Sequence, residues 1–380
     1  MMFRKKMLFF AIVELFFSFI GYSQSCLPEG IQFTTQAQID NFQVNYPDCS
    51  EILGDVDISN SITNLNGLSV LTSIGGNLFI SGTSLTNLTG LDNISIIGKS
   101  FSIMTCSSLT TLSGMENLTS IGENFYIDNN ALLNNLTALH GLNFIGGDLV
   151  VSFNPSLVSL TGLEELTSIG GYFSIYQNGL INNLVGLNSL TSIGEYINIS
   201  VSNSLTSLAG LENLTIIGGS FRIHHNDALI SLEGCDNIEA GSIAEMKIYA
   251  NDSLSTCDVQ SICNYLAAPN GTIEIHDNAT GCDSVEEVEA ACGVGYNEIG
   301  TLMRHSNIYP NPASNTITIE PIELINQNEL TIFNVDGQAL DHYKITELSK
   351  VIDISHLAKG VYLMRFTSEK EARMFKVLKY

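Results

Sequence analysis

The chain has 380 residues, of which 39 are acidic and 15 basic, giving a formal net charge of −24. A field of that sign repels nucleic acid and anionic lipid surfaces, so neither is an expected partner. Apolar residues make up 44% of the chain and charged residues only 14%; Asn, Ser, Thr and Gly fill the difference, which favours a β-rich repeat with polar turns over a helical enzyme.

Residues 1–23 read as a signal peptide. Arg4, Lys5 and Lys6 precede an apolar run from Met7 to Ile20, and Gly21 and Ser23 occupy the small-residue positions of a cleavage site before Gln24. The run is short for a membrane span and no later segment is long enough, so the mature chain is expected to carry no transmembrane segment. Export permits disulfides. Residues 24–53 read as an N-terminal cap closed by a Cys26–Cys49 bond, with a short helix in "TTQAQIDNF".

From 54 to 256 one sentence is written again and again. Ile74, Ile97, Ile121, Ile145, Ile169, Ile193 and Ile217 recur at a spacing of 23 and then 24 residues. Each period reads roughly LxxLxGLxxLxxIGGxφxIxxNxx, a leucine spacing that marks one coil of a solenoid. The φ-x-I segment is a short strand with two side chains inward and one outward. Its inward pairs run from Val56/Ile58 through Phe125/Ile127 and Phe173/Ile175 to Met246/Ile248 and Ile273/Ile275. Stacked, ten such strands make one parallel sheet. The glycines ahead of each strand are expected where φ is positive.

Three residues after the second inward side chain, asparagine recurs at Asn130, Asn154, Asn178, Asn226, Asn251 and Asn278. A buried asparagine at a tight turn hydrogen-bonds backbone groups that the turn leaves unpaired, so these residues are expected to form a structural ladder. Cys106 falls in the same register, and Cys235 takes a leucine slot as a small core residue. The repeats resemble a bacterial leucine-rich-repeat-like solenoid. They are also similar to the L domains of the insulin and epidermal growth factor receptors, through "CSEILGDVDI" at Cys49–Ile58. The resemblance covers about 50–293.

The outward register gathers one group of side chains on the sheet. Tyr126, Tyr172, Tyr176 and Tyr196 fall on neighbouring coils about 4.8 Å apart, and Arg222, His224, Lys247 and Tyr249 extend the patch. Aromatic rings with polar tips are good contacts for protein or sugar, so this face is the candidate binding surface. Residues 257–293 read as a C-terminal cap with a short helix in "CDVQSICNYLAAPNG" and a last strand in "TIEIHDN". Cys257, Cys263, Cys282 and Cys292 staple it in a pairing the sequence leaves open.

Residues 294–306 read as a linker. In 307–380 the leucine repeat stops, and alternating runs separated by turn signals predict a small antiparallel β-sandwich. This block resembles the type A C-terminal sorting domain of type IX secretion, through Tyr309-Pro310-Asn311-Pro312, Asp336-Gly337, Leu357, Gly360-Val361-Tyr362, and Lys376 and Lys379. The resemblance implies export across the outer membrane through the type IX machinery. The cargo is then attached at the cell surface or released.

Catalytic patterns are sparse. The chain has no HExxH, GxSxG or P-loop. His224 and His225 are neighbours on a strand, which sends them to opposite faces and argues against a metal. "GGD" at Gly146–Asp148 lacks the serial GGxGxD of calcium-binding rolls. From 50 to 256 there are 18 acidic residues but only Lys99, Arg222 and Lys247 as basic ones, which weakens a polysaccharide-lyase reading. The sequence therefore predicts a mainly β protein, a parallel β-solenoid of about ten rungs followed by a small antiparallel sandwich. Its expected function is non-enzymatic: binding or adhesion to a protein or glycan at the cell surface or after secretion, with no cofactor or metal. A carbohydrate-active β-helix enzyme and a structural surface-layer component are the alternatives.

Overall fold

The computed structural model describes residues 24–293, 307–310, 312–320, 329–334, 338–347, 349–367 and 372–380. The expected signal peptide 1–23, the linker 294–306, Asn311 and Gly337 lie outside these residues. The chain divides into two compact units, 1–296 and 297–380.

In the first unit each period forms one turn of a parallel β-solenoid. The φ-x-I segments make a long sheet whose strands, such as Leu78–Ser81, Phe125–Asp128 and Phe173–Tyr176, follow one another in parallel. Phe125 pairs with Leu149 and Ile127 with Val151, so like residues stack on like from rung to rung. The sheet has 11 strands, one more than expected; the extra strand is Ile31–Phe33, which pairs with Val56–Ser59. The inward pairs from Val56/Ile58 to Met246/Ile248 are fully buried, and in the last pair Ile275 is buried while Ile273 is partly covered. Each rung thus covers its neighbour's apolar face, which a lone coil has no means to do.

A second parallel sheet, which the sequence reading does not include, runs beside the first. The "SI" of each LTSIGG is itself a two-residue strand, as in Ser73–Ile74, Ser120–Ile121 and Ser168–Ile169, and these join a 9-stranded parallel sheet. Only the isoleucine turns inward, so two residues display no alternation to read. The preceding threonine adds a hydroxyl ladder: Thr119 Oγ1 donates to the Ser95 carbonyl at 3.0 Å and Thr191 Oγ1 to that of Thr167 at 3.0 Å.

The glycine expectation is corrected. The glycines that follow the recurring isoleucines, from Gly75 to Gly219, do not have positive φ; they sit where rungs touch. A Cβ on Gly122 would lie 2.0 Å from the Gly98 carbonyl oxygen. Positive φ falls instead at a glycine in the turn of six periods, Gly90, Gly114, Gly162, Gly186, Gly210 and Gly234 (φ 104–115°); the Gly114 N–H donates to Glu116 Oε2 at 2.8 Å. It also falls at the residue before each ladder position, where glycine is not used: Asn129, Phe153, Gln177, Val201 and His225 have φ of 53–55°.

The asparagine ladder forms as expected. Asn154 accepts the Asn130 N–H at 3.1 Å and donates to the carbonyls of Ile127 at 2.9 Å and Ser152 at 2.8 Å. Asn178 accepts the Asn154 N–H in turn, and Asn226, Asn251 and Asn278 repeat the pattern. Cys106 joins at one end through Asn130, and Ser202 interrupts the row. Cys106 and Cys235 are buried and unbridged, and burial pushes the Cys235 thiol well up, as suits an inert core residue.

Both solenoid ends are covered. Helices Gln36–Asp40 and Phe42–Asn45 add Ile39 and Phe42 to the core, the first opened by a capping box in which Gln38 Oε1 accepts the Thr35 N–H. At the other end Gln260–Ala267 and Val285–Cys292 contribute Ile262, Tyr265 and Val288. Cys26 bonds Cys49, Cys257 bonds Cys282 and Cys263 bonds Cys292, which resolves the pairing.

In the second unit a three-stranded and a four-stranded antiparallel sheet share one core that includes Ile317, Ile332, Met364 and Phe366.

Candidate functional site

The outward side chains of the long sheet lie where the register places them. Tyr126 pairs with Val150, Asn198 with Arg222, and Arg222 with Lys247. Tyr172 and Tyr196, each one residue ahead of its strand, stack face to face with centroids 4.5 Å apart and planes 6° apart. The Arg222 guanidinium covers the far face of Tyr196, with Cζ 5.2 Å from the ring centroid. Asp148 anchors the other end, accepting the Tyr172 N–H at 3.1 Å and the Tyr126 hydroxyl at 3.2 Å. Tyr176 does not join this row; it lies at the opposite end of its strand and packs edge-on against Phe153.

A second aromatic column runs along that opposite edge. The Tyr249 ring lies between His224, at 4.8 Å and 5°, and His276, at 5.3 Å and 13°. The expectation that His224 and His225 diverge is overturned: their Nδ1 atoms are 3.0 Å apart. The positive φ at His225 takes it out of strand geometry and turns its ring back. No signal in the sequence marks this, because glycine is the usual sign of such a backbone.

Between the columns lies a charged row. Glu245 meets Arg222 at 3.2 Å and Lys247 at 3.4 Å, and Lys247 meets Glu274 at 3.3 Å. Hydrogen bonds from Thr272, then Ser220, Arg222 and Lys247, hold the Glu245 carboxyl down at about 2. His276 and Lys247 hold Glu274 below the usual carboxylate range. Burial, reinforced by Asp148, raises the Tyr126 and Tyr172 hydroxyls, and burial raises that of Tyr196, so all three stay protonated at neutral pH. Burial first, then His225 and Arg222, lowers His224, while Asp277 and Glu274 raise His276. These carboxylates are bound and acidic, the reverse of a raised general acid.

In the second unit the strand Gly360–Thr367 pairs with Ala372–Lys379, which brings Tyr362 opposite Val377 and Leu363 opposite Lys376. Tyr362 is buried, and its hydroxyl donates to the Ala358 carbonyl at 2.8 Å. Lys379 is buried and Lys376 exposed, and Pro310 and Pro312 are exposed. Ala313 N–H donates to the Leu378 carbonyl at 2.7 Å, tying the start of the block to its last strand. Residues 307–379 match the secretion system C-terminal sorting domain. The sorting domain implies export, to the cell surface or into the medium, and names the secretion machinery as a partner. Its Gly360 and Tyr362 lie in the strand that joins the two neighbours of the four-stranded sheet. No curated protein matches the chain. Among the described residues no helix is long and apolar enough to cross a membrane.

Proposed function

We propose that the chain is an exported, non-enzymatic binding protein. The long sheet recognises a protein partner, and the sorting domain carries it to the surface. The observation that supports a protein over a glycan is the state of the ring faces. Both faces of Tyr196 are covered, by Tyr172 and Arg222, and both faces of Tyr249 are covered, by His224 and His276. A sugar ring stacks on an open aromatic face, and these two rings offer edges and polar tips instead. Edges and hydroxyls in a fixed row suit hydrogen bonding and edge contacts with a protein surface. The carboxylates of the same face are already engaged by Arg222, Lys247, His276, Ser220 and Thr272, which supports the reading that no hydrolytic pair operates there.

The test is an array of surface proteins and an array of glycans, both probed with the purified chain and with a Tyr172→Phe/Tyr196→Phe variant. Phenylalanine keeps the stack and removes the hydroxyls, so melting temperature is expected to stay within a few degrees. The expected outcome is protein spots that the variant loses. Glycan spots, or protein spots that the variant retains at full strength, contradict the proposal.

A further inference from the structure

His224 closes the strand Ser220–His224, and His225 follows with φ 55°. Their rings meet edge to face, at 84°, with Nδ1 facing Nδ1 across 3.0 Å. Two nitrogens at that separation share one proton. Asn198 decides which ring supplies it. The Asn198 amide nitrogen donates to Ser174 Oγ and to Ser200 Oγ, each at 3.2 Å, so its oxygen is the atom that faces His224 Nε2 at 3.1 Å. His224 therefore carries its proton on Nε2 and presents a bare lone pair at Nδ1, while His225 Nδ1–H fills the gap. The flat stack on Tyr249 fixes the His224 ring in that pose.

A neutral imidazole with a bare nitrogen, oriented through its other N–H by an amide oxygen, is the arrangement that metal-bound histidines show. We propose that His224 Nδ1 and His225 Nδ1 form a binding site for a divalent transition metal that accepts imidazole ligands, which takes the place of the shared proton. His225 is the exposed member, and a rotation of its ring turns both lone pairs toward one point. Its proton moves through solvent from Nδ1 to Nε2, so both rings stay neutral and no net charge is lost. Among the described residues no group of three or more His, Cys, Asp or Glu is placed to hold a metal, so water completes the sphere. The strongly acidic chain favours the approach of any cation.

The experiment is titration of copper(II) alone into the purified full chain, followed by calorimetry and electron paramagnetic resonance. The expected result is one equivalent whose spectrum shows coupling to two imidazole nitrogens. His225→Asn, chosen because asparagine tolerates positive φ, and His224→Ala are each expected to weaken that equivalent at least tenfold. Asn198→Ala, which frees the positioning amide, weakens it less and broadens the spectrum, and His276→Ala leaves it unchanged. Thermal melting of each metal-free variant separates lost ligation from lost folding. A two-nitrogen signal that persists in His225→Asn, or that the native chain never shows, overturns the proposal.

Discussion

An asparagine of the ladder serves three backbone groups, two on the preceding rung and one on its own. Asn154 takes the Asn130 N–H and gives its own amide to two carbonyls, all in the buried interior. Asn154→Ala strands these groups, so a loss of roughly 2–4 kcal/mol is expected in denaturant unfolding, since a buried unsatisfied group costs about 1–3 kcal/mol. Serine, which Ser202 shows to be tolerated in this row, should cost less. Glu245 makes a pH-dependent contribution. Its carboxyl is held at about 2 against an ordinary 4.5, so the stability it adds is fully present above pH 4.5 and lost as pH falls toward 2. Melting temperature should therefore fall over that window, and less steeply in Glu245→Gln. At this scale the ladder was legible because a polar residue recurred in step. The left-handed backbone before it was not, because Phe153, Gln177 and Val201 carry no common chemical mark.

The long-sheet strands were legible because φ-x-I alternates over three residues with a fixed period. The short-sheet strands were not, since two residues contain a single inward side chain. The same limit hid the role of the side chains two residues after the turn glycines: Glu116, Glu164, Asn188 and Glu212 each accept the glycine N–H two residues before them, so a side-chain oxygen, charged or neutral, is part of the turn. The end elements differ from the interior rungs in having a neighbour on one side only. The C-terminal cap is tied by Cys257–Cys282 and Cys263–Cys292, which span 25 and 29 residues. A disulfide closing such a loop contributes about 2–4 kcal/mol. Hydrogen exchange under reducing conditions should show protection lost first in 257–293, with the rungs from Leu78 to His224 protected as before. Uniform loss along the solenoid would mean that the caps and the central rungs unfold as one unit.

Over the whole molecule, repetition separates two kinds of residue. Those that recur in register, the leucines, isoleucines, ladder asparagines and rung-contact glycines, build the rod and carry no information about a partner. Those that break the register on an outward face are free to vary: Tyr126, Tyr172, Tyr196, Arg222, Lys247 and Tyr249 lie on one sheet among serines and asparagines. Their placement followed from counting, whereas the pre-stacked rings, the bound carboxylates and the paired histidines depend on side-chain torsions that no periodicity reports. Export rests on different residues, those of the sorting domain at 307–379. The recognition claim is tested most directly by photo-crosslinking in exporting cells. A benzophenone side chain is placed at Tyr172 in one variant and at Thr167, an exposed residue of the short-sheet side, in another. The account predicts a discrete protein adduct from position 172 and none from 167; adducts of equal yield from both, or from 167 alone, would contradict it.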